Sequence, residues 1–213
     1  MPRSPTRALP LILATLLLAG AAPGAHAEKS DRFKPLNVEA DLPGKIDLLK
    51  QFVVFNGNVV VTKGSMVIRA GRIEVRELPD GYYSAVAFGS PGQHATFRQK
   101  RDAPDEYIAG DAERLEYDGK SDVIRFVNNA SVKRLRGGEV TDEISGNLVT
   151  YDSATEVFNV SGGATPSATN PGGRVRAVLT PKEGSAAAAE AARAASAAPV
   201  PLLRTAPSLG DGK

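Results

Sequence analysis

The 213-residue sequence contains no cysteine and no tryptophan, and it has only two histidines. The lack of cysteine excludes disulfide bonds, thiolate metal sites and cysteine nucleophiles, so packing and hydrogen bonds alone must stabilise the fold. His26 lies in the N-terminal apolar segment, and His94 stands alone in residues 92–95. A Ser-His-Asp triad or a site with several histidine ligands therefore cannot be assembled. We predict a protein that is not an enzyme and that has no metal or other cofactor.

Residues 1–27 have the layout of a cleaved secretory signal. Arg3 and Arg7 precede an apolar run at residues 9–20, and a small-residue triplet at residues 25–27 precedes Glu28. The apolar run is short for a membrane span, which needs about 20 apolar residues. Later apolar runs are broken by a charge, Gly or Asn within a few residues. We expect cleavage after Ala27 and a secreted, soluble mature protein.

The mature chain has no excess of charge of either sign. Loss of Arg3 and Arg7 would reduce the 26 basic side chains to 24, which equals the number of acidic side chains. Proteins that bind nucleic acids usually carry a basic footprint. The one basic cluster, at residues 133–136, is short and is typical of a solvated strand end. No nucleic-acid partner is expected.

Residues 28–180 are rich in β-branched and aromatic side chains that alternate with polar ones, and turn residues interrupt them every several positions. Val59 and Val61 alternate with their neighbours after a break at residues 56–58, and the pattern continues after a turn at residues 63–65. Further turns are predicted at residues 79–81, where Asp-Gly favours a tight hairpin, and at residues 117–120. Sustained helical periodicity is missing, so we predict an all-β fold.

The last segment, residues 181–213, differs from the rest in being rich in Ala, Ser and Pro without an apolar stripe. Such a segment buries too little surface to offset its ordering entropy. We predict a mostly disordered tail. A transient helix near residues 186–195 would be marginal because it is short.

An internal repeat becomes visible when three glycines, Gly71, Gly110 and Gly146, are aligned. Gly71 follows Ile-Arg-Ala, Gly110 follows Ile-Ala and Gly146 follows Ile-Ser, and each glycine precedes an apolar strand and a turn. The glycines are 39 and then 36 residues apart. A repeat of this length predicts hairpin units stacked along one axis, none of which can bury its apolar face without its neighbours. The architecture would be two sheets, or one curved sheet, around an apolar interior.

Several of these segments together resemble the LptA (OstA-like) family of lipopolysaccharide-transport proteins. The resemblance rests on segments in the order of the family's domain and covers roughly residues 34–180. They are residues 36–41, 54–64, 68–75, 95–99, 110–117 and 126–130. Each alone is only a strand and turn pattern, but their order behind a signal sequence is fairly specific.

The resemblance implies a periplasmic, antiparallel β-jellyroll, shaped like an open trough of repeated hairpins, that occupies residues 28–180. Its apolar inside would hold the acyl chains of lipopolysaccharide. Family members join head to tail through their terminal edge strands, by strand addition. They thereby bridge an inner-membrane export complex and an outer-membrane translocon. The Ala/Pro-rich tail is longer than the family's compact ending.

The predicted groove lining comprises the inward positions of matched strands. These positions are Leu36, Val38, Val59, Val61, Ile68, Ile73, Val75, Phe97, Leu115, Tyr117 and Phe126. Without the family context, each would be interpreted as ordinary core, since buried β-branched residues are the norm. A register error of one residue would reverse the face of a whole strand. Lys63 and Arg76, interpreted as exposed strand-end charges, could meet lipid phosphates without needing that role.

Two other classes of function are weighed against a lipid carrier. A structural or scaffold β-repeat protein of the cell envelope would have a closed, fully packed interior. A polysaccharide-acting enzyme would need facing carboxylates, such as Asp118 with Asp122 or Asp102 with Asp105 and Glu106, and aromatic platforms. Most such acids are solvated turn residues. The absence of tryptophan argues further against the enzyme.

Overall fold

A computed structural model of the chain describes residues 31–162 and 173–197. The predicted signal segment at residues 1–27 and the tail beyond residue 197 lie outside the described residues. The described part begins with a short 3-10 helix at Asp31–Phe33. It continues with β1 (Asn37–Glu39), β2 (Leu42–Asp47), β3 (Phe52–Lys63), β4 (Met66–Glu77), β5 (Tyr83–Phe88), β6 (Ala95–Lys100), β7 (Glu106–Ala112), β8 (Arg114–Asp118), β9 (Val123–Arg136), β10 (Glu139–Asp152), β11 (Val157–Ser161), β12 (Arg176–Leu179) and helix α1 (Ala186–Ala197).

The strands form one antiparallel sheet, in the order β1-β3-β4-β5-β8-β9-β10-β11. Strand β2 pairs with β3, and β12 pairs with β10. Strand β6 pairs with β4 and β7, and β7 pairs in turn with β9. This arrangement confirms the predicted all-β, antiparallel fold class and the three predicted turns. None of the helices in the described residues is long and apolar enough to cross a membrane.

The sheet is folded into two halves that face each other. Half A contains β1, β6, β7, β12 and the adjoining segments of the long strands β3, β4, β9 and β10. Half B contains β2, β5, β8, β11 and the other segments of the same long strands. The line where the long strands pass from one half to the other is called the fold line. The opposite side, where strand ends of the two halves meet, is called the mouth.

Local backbone chemistry explains the fold line. In β3 the pairing with β4 shifts register between Asn56 and Val59, and Gly57 and Asn58 adopt φ values of 75° and 42°. Such a bulge bends a strand, and Gly and Asn are the residues that best accept positive φ. In β9, residues 128 and 129 are also asparagines with positive φ. The break predicted at residues 56–58 is therefore wrong in one respect, because β3 continues through it as a bent strand.

The three glycines of the predicted repeat lie on equivalent crossings. Gly71 and Gly146 lie at the fold line, in strands that run from half A to half B. Gly110 lies in β7 of half A, just before the chain enters β8 of half B. The repeat in the sequence thus corresponds to three successive passages of the chain from half A to half B.

Apolar side chains from both halves fill the space between them. The rings of Phe97 in half A and Phe126 in half B meet edge to face, with centroids 5.7 Å apart. Gly110 allows this approach, because a Cβ there would lie 2.6 Å from the Phe126 ring. Alanines on β5, β6, β7 and β9 occupy other inward positions.

The C-terminal segment contains more order than the sequence predicts. Strand β12 ends at Leu179, close to the predicted domain boundary at residue 180. Beyond it, α1 spans Ala186–Ala197, where the sequence predicts a transient helix within a mostly disordered tail. The hydroxyl of Ser185 accepts a hydrogen bond of 3.2 Å from the amide of Ala188, which caps the helix. Alanine has the highest helix propensity, so a capped alanine run forms this helix.

Candidate functional site

The structure brings the predicted groove lining together in one apolar cluster between the two halves. Nine members of the set are at most 5% exposed, namely Val59, Val61, Ile68, Ile73, Val75, Phe97, Leu115, Tyr117 and Phe126. Leu36 and Val38 are half-buried and pack against the cluster. The strand alternation therefore gives the correct inward face on every strand that contributes to the set. Contact of these residues with lipid is a proposal taken up below.

The sequence analysis missed about half of the cluster. The missed members include Met66, Ala85, Ala87, Ala95, Ile108, Ala112, Ile124, Ala130, Val132, Val149 and Tyr151. Alternation would have found several of them, because Ile124 lies two residues before Phe126, and Val149 and Tyr151 are two residues apart. The protein's own side chains fill the described interior.

A row of polar side chains connects the two halves at the mouth. The ammonium group of Lys63, at the end of β3 in half A, donates a hydrogen bond of 2.9 Å to the hydroxyl of Tyr117 in half B. That hydroxyl in turn donates to Asp122 at 2.9 Å. Burial lowers the pKa of Lys63, an effect that the charge of Asp122 opposes. Burial and Asp122 both raise the pKa of Tyr117. All three side chains are buried.

The row continues with a second group of charges. Arg101, in the loop after β6 of half A, forms an ion pair with Glu156, in the turn before β11 of half B. Its Nη1 also forms an ion pair with Oε2 of Glu106, at 2.6 Å. Arg136 donates to Glu106 at 2.8 Å through Nε. Burial alone would raise the pKa of Glu106, but the hydrogen bond from Arg136 and the charge of Arg101 hold it below its ordinary value.

The middle of the row is uncharged. Ser153 Oγ of half B lies 3.5 Å from Gln99 Oε1 of half A. The same hydroxyl donates a 2.9 Å hydrogen bond to the carbonyl of Asp122. Gln99 and Ser153 are 2% and 5% exposed, and most of the buried polar side chains in the described residues lie at the mouth, the exceptions being Ser131 and Ser145.

Two candidate side chains, Lys63 and His94, have surroundings that the sequence does not predict. Lys63 is buried, which corrects its interpretation as an exposed strand-end charge, whereas Arg76 is exposed as predicted and lies over the Phe52 ring at 4.3 Å. His94 does not stand alone, because its Nδ1 is 2.8 Å from the carboxylate of Asp111.

Three of the carboxylates considered for an enzyme, Asp118, Asp122 and Glu106, have structural partners. Asp118 accepts hydrogen bonds from the amides of Lys120 and Ser121, as expected of a turn residue. Asp122 and Glu106 belong to the mouth row. Within the described residues, no cluster of three or more His, Asp or Glu side chains could hold a metal ion.

The sheet has unpaired edges at both ends of the interior. Strands β1 and β2 pair only with β3, and β11 and β12 pair only with β10, among the described strands. Most of the large exposed apolar side chains lie on or beside these edges. At the N-terminal edge they are Leu42, Ile46, Leu48 and Leu49, and at the C-terminal edge they are Val157, Val175, Val178 and Leu179.

Comparison with known proteins gives consistent matches. Residues 37–157 match the family model described as LptA/(LptD N-terminal domain) LPS transport protein. The chain is 32% identical to the lipopolysaccharide export system protein LptA of Haemophilus influenzae over 81% of this chain and 91% of that protein. It is also 32% identical to LptA of Escherichia coli K12 over 67% of this chain and 72% of that protein.

A solved structure matches the fold. The crystal structure of LptH, described as the LptA homologous periplasmic component of the lipopolysaccharide transport device of Pseudomonas aeruginosa, superposes with a TM-score of 0.59. The sequences are 24% identical, and the match covers 71% of this chain and 99% of that chain.

Proposed function

This chain belongs to the LptA/(LptD N-terminal domain) family of LPS transport proteins, and we propose that it is a periplasmic carrier that binds lipopolysaccharide between halves A and B. The carrier would bridge the inner and outer membranes and pass its cargo along a continuous apolar groove for outer-membrane assembly. It would have no cofactor and no catalytic step of its own. A partner complex at the inner membrane would supply the energy.

The observation that carries this proposal is the single apolar cluster shared by both halves of the sheet. It runs from Leu36 and Val38, near the N-terminal edge, to Val149 and Tyr151, on the last long strand. Acyl chains that replace these contacts would be removed from water at about 0.8 kcal/mol per methylene. Apolar contact needs no fixed polar partner, which suits a cargo that must slide onward.

Because the interior is filled, the two halves must part before cargo can enter. The fold line cannot separate, since β3, β4, β9 and β10 run through it as continuous chain. The mouth is joined only by side chains in its described part, including the Lys63–Tyr117 hydrogen bond and the Arg101–Glu156 ion pair. We propose that the halves hinge at the fold line and that cargo enters through the opened mouth.

The two unpaired edges support the bridge proposal. An exposed edge strand with apolar side chains pairs readily with another chain and is normally blunted. Here the N-terminal edge presents Ile46 and the C-terminal edge presents Leu179, at 60% and 73% exposure. Strand addition between the C-terminal edge of one copy and the N-terminal edge of the next would join two interiors. The terminal copies would use the same edges for the inner-membrane export complex and the outer-membrane translocon.

A scaffold protein of the cell envelope is the second candidate, and the filled interior favours it. The two functions differ in whether the interior ever opens to lipid. The purified protein should therefore be mixed with lipopolysaccharide and with lipid A, and co-purification and oligomer size should be measured. Binding to neither would reject the carrier and leave the scaffold.

Photo-crosslinking in cells tests the groove itself. Crosslinkers at Val38, Phe97 and Tyr117 should capture lipopolysaccharide, because all three side chains face the interior. Arg98 and Glu116 are the matched controls, since each is the strand neighbour of a test position and faces outward. Capture only at the controls would reverse the proposed lining on those strands.

A further inference from the structure

A cavity of about 200 Å³ lies at the mouth, next to the N-terminal edge. The 3-10 helix, the β4–β5 turn and β8 form its walls. Its lining includes three cationic side chains, Arg32, Lys34 and Lys63, and three tyrosines, Tyr82, Tyr83 and Tyr117. Among the described residues that line it, none is acidic.

Two cations of this cavity, Arg32 and Lys63, lie close together, and the acidic side chains near them are outside its lining. The charge of Arg32 adds to burial in lowering the pKa of Lys63, so the two cations are close enough to repel each other. Asp122 and Asp31 act on Lys63 from outside the lining and oppose this effect. Lys34 adds a third, exposed cation at the entrance. An anion in the cavity would relieve the repulsion.

The guanidinium of Arg32 also has unused hydrogen-bonding capacity. Its Nη2 donates to the carbonyl of Lys120 at 2.6 Å, and its centre lies 5.6 Å from the centroid of the Tyr82 ring. Its Nε is buried and has no hydrogen-bond partner in the described part of the chain. A buried donor without an acceptor is unfavourable. A phosphate oxygen is the kind of acceptor that a guanidinium binds best.

The cavity adjoins the proposed groove. Leu36 and Tyr117 line the cavity and also belong to the predicted groove lining. We propose that this cavity binds the phosphorylated sugar headgroup of the lipid cargo, with Arg32, Lys34 and Lys63 on the phosphate and Tyr82 and Tyr83 beside the sugar ring. This proposal rests on the proposed function, because it presumes that acyl chains occupy the adjoining interior.

The test compares lipid A that carries both phosphates with lipid A from which both phosphates have been removed. The variant is the double substitution Arg32→Gln with Lys34→Gln, which leaves the buried Lys63 in place. The matched control is Arg125→Gln with Lys133→Gln, since both side chains are exposed and form only long ion pairs, of 3.9 and 3.8 Å, on the outer face.

The unchanged protein should bind the phosphorylated lipid roughly tenfold more tightly, which corresponds to about 1.4 kcal/mol. The Arg32/Lys34 variant should lose this preference and bind dephosphorylated lipid A as before, whereas the control should keep it. The preference should also decrease at high salt. An unchanged preference in the Arg32/Lys34 variant, or no preference in the unchanged protein, would overturn the proposal.

A soluble probe separates this proposal from the carrier function. Glucosamine 1-phosphate should shift the amide resonances of residues 81–83 in the unchanged protein, and inorganic phosphate should compete with it. The Arg32/Lys34 variant should show neither effect, and equal shifts in both proteins would reject the cavity as the site. If the protein binds neither form of lipid A, the carrier function fails, and the soluble probe still decides whether the cavity binds a sugar phosphate.

Discussion

The Nζ of Lys63 lies 2.9 Å from the hydroxyl of Tyr117, and this hydrogen bond joins the two halves of the folded sheet. The ammonium group also lies 5.3 Å from the centroid of the Tyr117 ring. Asp122 completes the arrangement by accepting a hydrogen bond from the tyrosine hydroxyl. A buried cation and a buried carboxylate are thus connected through one neutral hydroxyl at the mouth. This arrangement makes the mouth a specific, polar closure in an otherwise apolar interior.

Replacing Tyr117 with Phe should destabilise the protein by about 1–2 kcal/mol, because Lys63 and Asp122 both lose a buried hydrogen-bond partner. Urea unfolding followed by circular dichroism measures this loss. Tyr83→Phe is the control, since Tyr83 is 41% exposed and should change the stability by less than about 0.5 kcal/mol. Equal stability of the Tyr117 variant and the unchanged protein would show that the hydroxyl contributes nothing to closure.

A reversible bridge in place of the Arg101–Glu156 ion pair tests whether cargo enters through the mouth. The chain has no cysteine, so Arg101→Cys with Glu156→Cys introduces the only two thiols. Joining them with a thiol-cleavable bifunctional reagent should block uptake of lipopolysaccharide, and cleavage by a reductant should restore it. Fluorescent lipopolysaccharide in a stopped-flow experiment measures the rate.

The matched control is a cysteine pair within half A, at Arg134 and Asp142, which form an ion pair between adjacent strands. A bridge there should leave uptake unchanged, because it does not connect the two halves. Unchanged uptake with the mouth bridged would indicate that cargo enters through an end of the groove instead.

The strands and the inward faces could be predicted from the sequence because their signals are local. Alternation of apolar residues specifies which face of a strand is buried, and Asp80-Gly81 specifies a hairpin turn. The same logic identified Phe97 and Phe126 as inward residues without showing that their rings meet. Helix α1 was underestimated because its Ser185 cap was not weighed against the shortness of the alanine run.

The mouth row could not be predicted, because its partners are distant in the sequence. Lys63 and Tyr117 are 54 residues apart, and Arg101 and Glu156 are 55 residues apart. Lys63, Arg101 and Glu156, taken alone, have the pattern of charged strand ends, and Tyr117 has the pattern of an inward lining residue. Only the folding of the sheet brings the ends of half A onto those of half B and buries them.

The buried carboxylate of Glu106 predicts a pH dependence of stability. Its pKa lies below the ordinary value of 4.5, because hydrogen bonding to Arg136 and the charge of Arg101 outweigh the effect of burial. A carboxyl whose pKa is lower in the folded state stabilises the fold at neutral pH, and this stabilisation is lost as the pH falls below 4.5 through the folded-state pKa.

Glu106→Gln should therefore lower the free energy of unfolding by about 1–3 kcal/mol at neutral pH. The difference from the unchanged protein should shrink as the pH falls below 4.5 and the unchanged carboxyl becomes protonated. Urea unfolding at several pH values measures this difference. Glu39→Gln, at an exposed position on β1, should give no such trend. A difference that stays constant with pH would mean that the charge of Glu106 does not contribute.

Self-association through the two edges can be tested with one substitution at each edge. Ile46→Lys places a charge on the N-terminal edge, and Leu179→Lys places one on the C-terminal edge. Each variant alone should associate roughly tenfold more weakly, a change of about 1.4 kcal/mol, because a charged edge opposes strand addition. Sedimentation velocity over a range of concentrations measures the association. Thr96→Lys, at an exposed position on β6, which is paired on both sides, is the control and should associate as before.

Mixing the two edge variants distinguishes head-to-tail contacts from symmetric ones. In a head-to-tail assembly, the Ile46 variant keeps an intact C-terminal edge and the Leu179 variant keeps an intact N-terminal edge. At a concentration where each weakened variant alone is monomeric, an equal mixture should therefore form dimers. Those dimers should not grow further, because both of their outer edges carry the added lysine. Contacts between identical edges would behave differently, since each variant would still form a homodimer through its intact edge. Growth of the mixture into longer chains, or homodimers of either variant, would contradict the head-to-tail bridge.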